Sequence, residues 1–434
     1  MAGEWATVKL GDLCSFRAGS VFKPALQGQS SGKYPFVKVG DMNLPANAVR
    51  IQEANNWVSE DDLQELRAKP FPPGTVVFAK IGEALRQNRL RQVIRDTIVD
   101  NNMMGAVPNT HHVDPRFFYY GLSQFDFSEI AQGTALPYLT ISALSGLELE
   151  VPPAHEQRAI AHILGTLDDK IELNRRMNET LEAMAQAIFK SWFVDFNPVR
   201  AKAEGRDTGL PKAIADLFPD SFEDSGLGEI PAGWNVVTVA DVAEINARTL
   251  ACTDSLDVID YIEISEVMRG EIANIVQYER GTEPSRARRR LRHGDTVLST
   301  VRPERGAHFL CLNPPETLIA STGFAVLSPR DRHWAFLYSA LTHRAVGEKL
   351  GRLANGGAYP AVRPDAVSGL TLVAPTDPRL LLGFQKIVGS LYERAAQNRV
   401  ESRTLATIRD TLLPKLISGE LRIKDAEKVV EIHT

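Results

Sequence analysis

Residues 3–13 read GEWATVKLGDL and residues 232–242 read AGWNVVTVADV, so one pattern occurs twice in this chain. The tryptophans of the two copies, Trp5 and Trp234, lie 229 positions apart. One such match can arise by chance, and further matches in a fixed order are what distinguish an internal repeat.

Further matches follow in the same order in both halves. Residues 73–78, PGTVVF, return as residues 293–298, HGDTVL, each a turn glycine that leads into an apolar, β-branched strand. A later pair of matches, spaced by 223 positions, comprises Ala135-Leu136-Pro137 with Ser145–Leu149 and Ala358-Tyr359-Pro360 with Ser368–Leu372. The chain is therefore a tandem duplication.

Each copy predicts a strand-rich globule. Short apolar runs bounded by Gly, Pro, Asn and Asp indicate strands at Tyr34–Val39, Thr75–Phe78, Ile259–Ile264 and Thr296–Thr300. We therefore predict an α+β fold class, with two similar mixed globules related by a pseudo-twofold internal repeat.

Each globule is followed by a long helical segment. The first helix is predicted from His155 to about Val194, 40 residues or roughly 60 Å. The second is predicted from Arg379 to Leu413, where we expect Pro414 to interrupt it. Residues in both follow the four-and-three steps of a heptad seam. The predicted seam comprises Leu167, Ile171, Asn174, Leu181 and Ile188 in the first helix and Leu391, Asn398, Leu405 and Leu412 in the second.

The polar centre of the seam indicates how the helices pair. A buried asparagine needs a partner, and in coiled coils it fixes register and orientation. We expect the helices to form an antiparallel coiled-coil pair that separates the globules; the alternative is that each helix packs on its own globule. Two unlike globules held apart in this way would suit two unlike DNA half-sites, because equivalent grooves recur about every 34 Å.

Composition narrows the class of protein. The chain has 434 residues, 44% hydrophobic and 24% charged, which is typical of globular domains. It has no apolar run of about 18 residues and no signal peptide, so we expect a cytoplasmic protein. Cys14, Cys252 and Cys311 are far apart and odd in number, which favours reduced thiols over disulfides or a metal site. A net charge of −5 means that any nucleic-acid surface must be local.

Each globule carries one such local basic cluster. Residues 80–95 have an excess of four positive charges and residues 286–305 an excess of five. Arginine pairs with guanine and Asn or Gln with adenine in the major groove. The DNA-binding candidates are Lys80, Arg86, Gln87, Asn88, Arg89, Arg91, Asn101 and Asn102 in the first copy and Arg286, Arg288, Arg289, Arg290, Arg302 and Arg305 in the second. The alternative for any one arginine is a solvated, salt-bridged loop.

The sequence contains no catalytic constellation. Asn313-Pro314-Pro315-Glu316 is similar to the motif with which adenine methyltransferases hold a flipped base, but it lacks the aromatic residue, so we interpret it as a turn. His155 and His162 are seven apart, whereas helical metal pairs are three or four apart. We therefore predict neither an enzyme nor a metal protein.

The connector between the copies carries a family resemblance. Ser191–Lys202, SWFVDFNPVRAK, with Leu217–Phe222 and Leu227–Trp234, resembles the central conserved region of type I restriction-modification specificity subunits (the HsdS family). Pro152–Arg158, PPAHEQR, resembles the family's entry into its first spacer helix, whereas the second copy keeps Gln385 without the preceding acid. The resemblance covers essentially the whole chain.

The resemblance implies a domain organisation. The implied parts are a first target recognition domain at 1–153, a spacer helix (conserved region 1) at 154–197, a connector at 198–228, a second target recognition domain at 229–376, a second spacer helix (conserved region 2) at 377–421 and a tail at 422–434.

It also implies partners. These are double-stranded DNA with an asymmetric bipartite site, two modification (methyltransferase) subunits, and restriction subunits. S-adenosylmethionine, ATP and Mg²⁺ would belong to those partners, with no cofactor in this chain. Three alternatives stay open: a free-standing DNA-binding regulator, a structural coiled-coil adaptor, and the specificity protein of a modification-only or other defence system.

Overall fold

A computed structural model describes residues 5–133, 135–251, 253–354 and 360–431. Gly3, Glu4, Cys252, Ala358 and Tyr359, named above, lie outside the described residues. The chain divides into two compact units: unit 1 comprises residues 1–175 with 400–434, and unit 2 comprises residues 176–399. Each long helix contributes one half to each unit.

The helices are, in chain order, α1 (Leu10–Leu13), α2 (Glu60–Leu66), α3 (Glu83–Arg86), α4 (Pro115–Leu122), α5 (Ile141–Ser145), α6 (Ala154–Phe193), α7 (Asn197–Ala203), α8 (Lys212–Ala215), α9 (Val239–Val242), α10 (Trp334–Thr342), α11 (Arg344–Leu353), α12 (Pro364–Ser368), α13 (Pro378–Ile417) and α14 (Ile423–Glu431). Short 3₁₀ turns occur at Pro24–Leu26, Val39–Asn43, Pro45–Asn47, Ile264–Glu266 and Pro303–Arg305.

The strands of unit 1 are β1 (Ala6–Lys9), β2 (Cys14–Ala18), β3 (Tyr34–Val37), β4 (Arg50–Ile51), β5 (Trp57–Val58), β6 (Val76–Ala79), β7 (Leu90–Val93), β8 (Ile98–Val99), β9 (Met103–Pro108) and β10 (Glu148–Val151). Those of unit 2 are β11 (Phe222–Ser225), β12 (Gly228–Pro231), β13 (Trp234–Thr238), β14 (Ala243–Ile245), β15 (Val258–Ile262), β16 (Val267–Met268), β17 (Glu271–Ile272), β18 (Val276–Glu279), β19 (Ala287–Arg290), β20 (Asp295–Ser299), β21 (His308–Cys311), β22 (Leu318–Ser321), β23 (Phe324–Pro329) and β24 (Thr371–Pro375).

Unit 1 is built on a five-stranded sheet with the order β2-β9-β6-β7-β4. A three-stranded sheet, β5-β3-β8, and the pair β1-β10 complete its strands. All four residues of β6 are buried, as its apolar β-branched sequence predicts for a central strand. The α+β prediction is confirmed for this unit.

The first half of α6 packs on the globule of unit 1 and also on α13. Phe117 and Tyr120 of α4 share one core with Ile160 and Leu164 of α6, and that core also contains Leu412 of α13. The two alternatives for the helix, packing on its own globule or on the other helix, are therefore both realised in unit 1.

Unit 2 repeats this plan with two four-stranded sheets. Their orders are β14-β23-β20-β21 and β18-β15-β22-β19, and the pair β13-β24 corresponds to β1-β10. The parallel pairing of β15 with β22 matches that of β3 with β8. The duplication seen in the sequence thus extends to strand pairing.

The second half of α6 packs on the first half of α13 through aromatic residues. The rings of Trp192 and Phe384 lie 5.7 Å apart, and Phe189 packs on the same phenylalanine. In unit 1 Asp168 contacts Arg409, and in unit 2 Asn178 contacts Asn398. The contacts progress from Asp168–Arg409 to Asn174–Glu401 within unit 1 and from Asn178–Asn398 to Trp192–Phe384 within unit 2, so the helices run antiparallel within each unit.

The seam residues differ in how deeply they lie. Leu167, Asn174, Asn398, Leu405 and Leu412 are buried. The remaining seam residues, Ile171, Leu181, Ile188 and Leu391, are half-buried.

Proline 414 does not end α13, contrary to the prediction from sequence. The helix continues to Ile417, and Ser418 donates a hydrogen bond to the Pro414 carbonyl at 3.0 Å. A proline inside a helix removes one backbone donor and crowds the carbonyl four residues earlier, at a cost of about 3 kcal/mol. Because Leu416 and Ile417 are buried in the core of unit 1, their packing holds the last turn.

A glutamine near the start of each long helix has the same structural role in both units. Gln157 accepts a hydrogen bond from the backbone N–H of Asp114 at 2.8 Å, where α4 begins. Gln385 accepts one from the N–H of Ala335 at 2.9 Å, in the first turn of α10. The first N–H groups of a helix have no partner inside it, so each glutamine fastens a globule to a long helix.

Candidate nucleic-acid interface

The loop after β6 in unit 1 is held by three backbone hydrogen bonds. The N–H of Lys80 donates to the Asn102 carbonyl at 2.9 Å, and Leu139 donates to the Lys80 carbonyl at 2.9 Å. Gly82 donates to the Pro137 carbonyl at 2.8 Å. These bonds fix the loop against the turn at Asn101–Asn102 and against the 137–139 segment.

The loop after β20 in unit 2 is held by the same three bonds. Thr300 donates to the Gly323 carbonyl at 2.9 Å, Val362 donates to the Thr300 carbonyl at 2.8 Å, and Arg302 donates to the Pro360 carbonyl at 2.8 Å. The two loops therefore share one backbone frame. We call them reading loop 1 (residues 80–89) and reading loop 2 (residues 300–306).

Reading loop 1 brings most of the first group of candidates to one end of the five-stranded sheet. Strand β6 ends there, and β7 and β9 begin there. Arg86, Gln87, Asn101 and Asn102 are exposed at this end, and the nearby Lys80 and Arg89 are half-exposed. The guanidinium of Arg86 lies 3.7 Å from Glu83, an exposed pair that is worth little and leaves the arginine accessible.

Arg91 and Asn88 have internal roles instead. Arg91 donates to the carbonyls of Leu90 and Met42 at 2.7 and 3.1 Å, and burial lowers the pKa of its guanidinium. The side chain of Asn88 donates to the Phe125 carbonyl at 2.7 Å and accepts from the Phe127 N–H at 3.2 Å. Both side chains are engaged within unit 1.

The second basic cluster is divided between two sheets. Arg302 and Arg305 belong to reading loop 2, after β20. Arg288, Arg289 and Arg290 lie on β19, at the edge of the other four-stranded sheet. Sequence proximity grouped them, but the pairing of β19 with β22 separates them.

The arginines of β19 differ in their surroundings. Arg290 forms an ion pair with Asp254 at 3.0 Å, and Arg288 lies 3.4 Å from Glu283. The Nε of Arg289 is buried without a hydrogen-bond partner among the described residues, and burial lowers the pKa of this side chain. Arg286, just before the strand, is exposed.

Three exposed residues beside the reading loops were not singled out from the sequence. Leu136 and Tyr138 flank Pro137 next to reading loop 1 and are 58% and 42% exposed. Arg269 donates from its backbone to the Gly306 carbonyl at 2.8 Å in unit 2. The sequence marks Leu136 only within the Ala135-Leu136-Pro137 landmark, and no pattern points to Tyr138 or Arg269.

No group of His, Cys, Asp or Glu among the described residues is arranged to hold a metal ion. Cys14 and Cys311 are buried free thiols, and burial raises the pKa of Cys14 to about 12. None of the helices in the described ranges combines the length and apolarity needed to cross a membrane.

Comparison with known proteins identifies the family. Residues 2–183 match the type I restriction modification DNA specificity domain. The HindI specificity subunit of Haemophilus influenzae is 28% identical over 426 residues, which cover 83% of this chain and 89% of that protein. The MjaIX specificity subunit of Methanocaldococcus jannaschii is 24% identical, over 97% of this chain and 94% of the relative. These matches support a specificity subunit of a type I restriction enzyme.

A solved structure agrees in fold. The type I specificity subunit from M. genitalium superposes with a TM-score of 0.55 at 16% identity, over 95% of this chain and 96% of that chain. The two type I relatives align with this specificity subunit over most of its length, so the likeness includes both units and not only the N-terminal match.

Proposed function

We propose that this specificity subunit reads a split, asymmetric DNA site, with unit 1 recognising one half and unit 2 the other. The observation that carries the proposal is the duplicated frame of the reading loops, which presents different side chains on the same backbone. A repeated scaffold with unlike arginine, asparagine and glutamine side chains is suited to two unlike half-sites.

The domain organisation follows from this role. We assign the first target recognition domain to residues 1–153 and the second to residues 229–376, with the connector at 198–228 and the tail at 422–434. The spacer helices are assigned to 154–197 and 377–421. The internal duplication supports these bounds, and α6 and α13 supply the helical part of each repeat.

The partners proposed are double-stranded DNA, two modification subunits and restriction subunits. The relatives are named as specificity subunits of type I restriction enzymes, which act within such assemblies. We place the modification subunits along the paired helices. S-adenosylmethionine, ATP and Mg²⁺ would serve the partners' chemistry, and the assembly would work in the cytoplasm, where the host DNA lies.

Base reading is assigned to exposed and half-exposed polar residues of the two reading loops and of the turn beside reading loop 1. In unit 1 these are Arg86, Gln87 and Arg89 with Lys80 and the turn at Asn101–Asn102. In unit 2 they are Arg302 and Arg305, and we assign Arg286 and Arg288–Arg290 to phosphate contacts or packing along β19. Arginine bonds guanine in bidentate fashion, and a good pair gives about 1–3 kcal/mol of discrimination.

The experiment replaces Arg86 and Arg89 by alanine in the full chain purified with its modification subunits. We expect the half-site read by unit 1 to lose its preference and the affinity to fall about tenfold or more, while the other half-site is unchanged. Sequencing of methylated bases in host DNA measures both half-sites at once.

The matched control replaces Lys69 and Arg95, two exposed cations of unit 1 outside the reading loop. It removes the same charge, so a purely electrostatic role for unit 1 predicts equal losses from both double variants. An unchanged bipartite pattern in the Arg86 and Arg89 variant rejects the assignment. Specific methylation with no bipartite pattern in the wild type rejects the proposed function.

A further inference from the structure

Three of the five large hydrophobic residues exposed between residues 5 and 153 lie beside reading loop 1 or in the helix that follows Tyr138. Between residues 5 and 153, the large hydrophobic residues exposed in the described chain are Val21, Ile94, Leu136, Tyr138 and Ile141. Leu136 and Tyr138 lie next to reading loop 1, and Ile141 opens the short helix that follows them. Ile94 follows the far end of β7.

Leu136 and Tyr138 are held in place by the backbone. Tyr138 and Gln132 exchange two hydrogen bonds at 2.8 and 2.9 Å, and Tyr138 also forms a bridge with Ile81. Pro137 between them is buried, and its carbonyl accepts from Gly82. The two apolar side chains are therefore fixed outward on both sides of a buried proline.

Their surroundings are cationic. Lys80 and Arg86 belong to the loop that is bonded to this segment, and Gly82, at the centre of the loop, faces Leu136: a methyl group on Gly82 would lie 3.6 Å from its Cδ1. Two apolar side chains beside cations suit a ligand whose surface combines negatively charged groups with a single apolar group. The DNA major groove offers phosphates and, as its apolar group, the 5-methyl of thymine.

We propose that Leu136 and Tyr138 form an apolar reading patch that contacts the 5-methyl group of a thymine in the half-site read by unit 1. The inference rests on the proposed function and deepens it: the cations of reading loop 1 hold phosphates and guanine, while the patch distinguishes thymine. Fixing the patch before binding lowers the ordering cost of the contact.

The test is a double-substitution cycle between protein and DNA. Each thymine of the half-site is replaced in turn by deoxyuridine, which removes only the methyl group. Binding is measured for the full chain in complex with its modification subunits. We expect one replacement to weaken the wild type about fourfold, the value of one buried methyl group, and to leave Leu136→Ala unaffected. Tyr138→Ala should reduce the same deoxyuridine effect.

The control is Ile94→Ala, an apolar residue of similar exposure (41%) outside the patch. It should keep the full deoxyuridine effect. The dependence of affinity on salt gives a second readout, because an apolar contact releases no counterions. Leu136→Ala should therefore leave the salt slope unchanged, whereas removal of a phosphate-binding cation lowers it.

Three results would overturn the inference. The first is that no deoxyuridine replacement weakens binding by the wild type, and the second is that the deoxyuridine effect persists in Leu136→Ala. The third is that Leu136→Ala releases the modification subunits, which would make the patch a protein contact. If Arg86 and Arg89 prove necessary for the half-site while any of these occurs, the proposed function stands and only the apolar patch fails.

Discussion

The two reading loops have the same backbone hydrogen bonds but different residues at an equivalent position with positive φ. Gly82 in unit 1 and Arg302 in unit 2 donate equivalent hydrogen bonds, and both have positive φ, 78° and 47°. Glycine adopts this conformation freely, whereas for arginine it is unfavourable. Unit 2 therefore keeps an arginine where a glycine would fit with less strain.

The difference indicates what Arg302 is for. Residues held in left-handed backbone cost on the order of 1–3 kcal/mol, and such strain is concentrated at binding sites. We expect DNA binding by its side chain to be what offsets the strain. Unit 1 supplies its arginines later in the loop, at Arg86 and Arg89, neither of which has a positive φ, although Asn88 between them does.

The helix seam shows a second contrast. In unit 1 Asp168 is buried, accepts from Tyr120 at 2.5 Å and pairs with Arg409 at 2.7 Å. The ion pair raises the pKa of Arg409 against the opposing effect of its burial. In unit 2 Asn398 donates to Asn178 at 2.9 Å, a neutral pair. At these two positions the helices are joined by an ion pair in unit 1 and by an amide pair in unit 2, although Asn174 also bonds Glu401 in unit 1 and Glu182 also pairs with Arg399 in unit 2.

The largest loss of stability is expected from a substitution that removes the ion pair of unit 1. Asp168→Asn leaves Arg409 without its buried counter-ion, and loss of one partner of a buried pair costs about 3 kcal/mol. Asn178→Ala in unit 2 leaves an amide donor without this partner and should cost about 1 kcal/mol. Hydrogen exchange of the α6 amides before and after residue 175 measures each unit separately. Equal losses in the two units would contradict the contrast.

A half-buried histidine distinguishes unit 2 in its response to pH. His308 occupies the position of Leu90 in unit 1, opposite Leu298 as Leu90 is opposite Phe78. Burial, with Arg269 and Arg399, lowers the pKa of His308 to about 4 from 6.5. The unfolded chain binds this proton more readily, so the contribution to stability is lost as pH falls from 6.5 towards 4. Unit 2 should lose about 2 kcal/mol between pH 7 and pH 5 from this residue.

The matched variant is His308→Leu, because unit 1 has a leucine, Leu90, at the equivalent position. Burial raises the pKa of Glu182, so its protonation acts in the opposite direction and favours the folded state as pH falls. The quantity to compare is therefore the difference between wild type and His308→Leu, measured by exchange of the β20 amides. A difference that does not change between pH 7 and pH 5 would show that His308 is protonated in the folded state.

Local patterns predicted much of the fold, and long-range pairing decided the rest. The strands at residues 75–78 and 296–300 and the two long helices follow from apolar periodicity and from the repeat. The division of the second arginine cluster does not, because it depends on the pairing of β19 with a strand some 30 residues later. Asn88 is similar: its partners lie 37 and 39 residues away, and no local pattern indicates them.

The smallest effect is expected for DNA binding when one arginine of reading loop 2 is replaced. Arg302→Gly should weaken binding at the half-site read by unit 2 about tenfold, since one good base contact is worth about 1–3 kcal/mol. It should not lower the stability of unit 2, because glycine relieves the strained backbone. Affinity for a duplex with both half-sites, and exchange of the β20 amides, measure the two quantities in one preparation.

Arg305→Gly separates strain from charge. It removes the same charge from the same loop, but Arg305 ends the 3₁₀ turn Pro303–Arg305, where glycine costs about 1 kcal/mol. We therefore expect both variants to bind DNA less tightly and only Arg305→Gly to lose stability. If Arg302→Gly destabilises unit 2 by as much, the arginine holds the loop together, and its left-handed backbone says nothing about reading DNA.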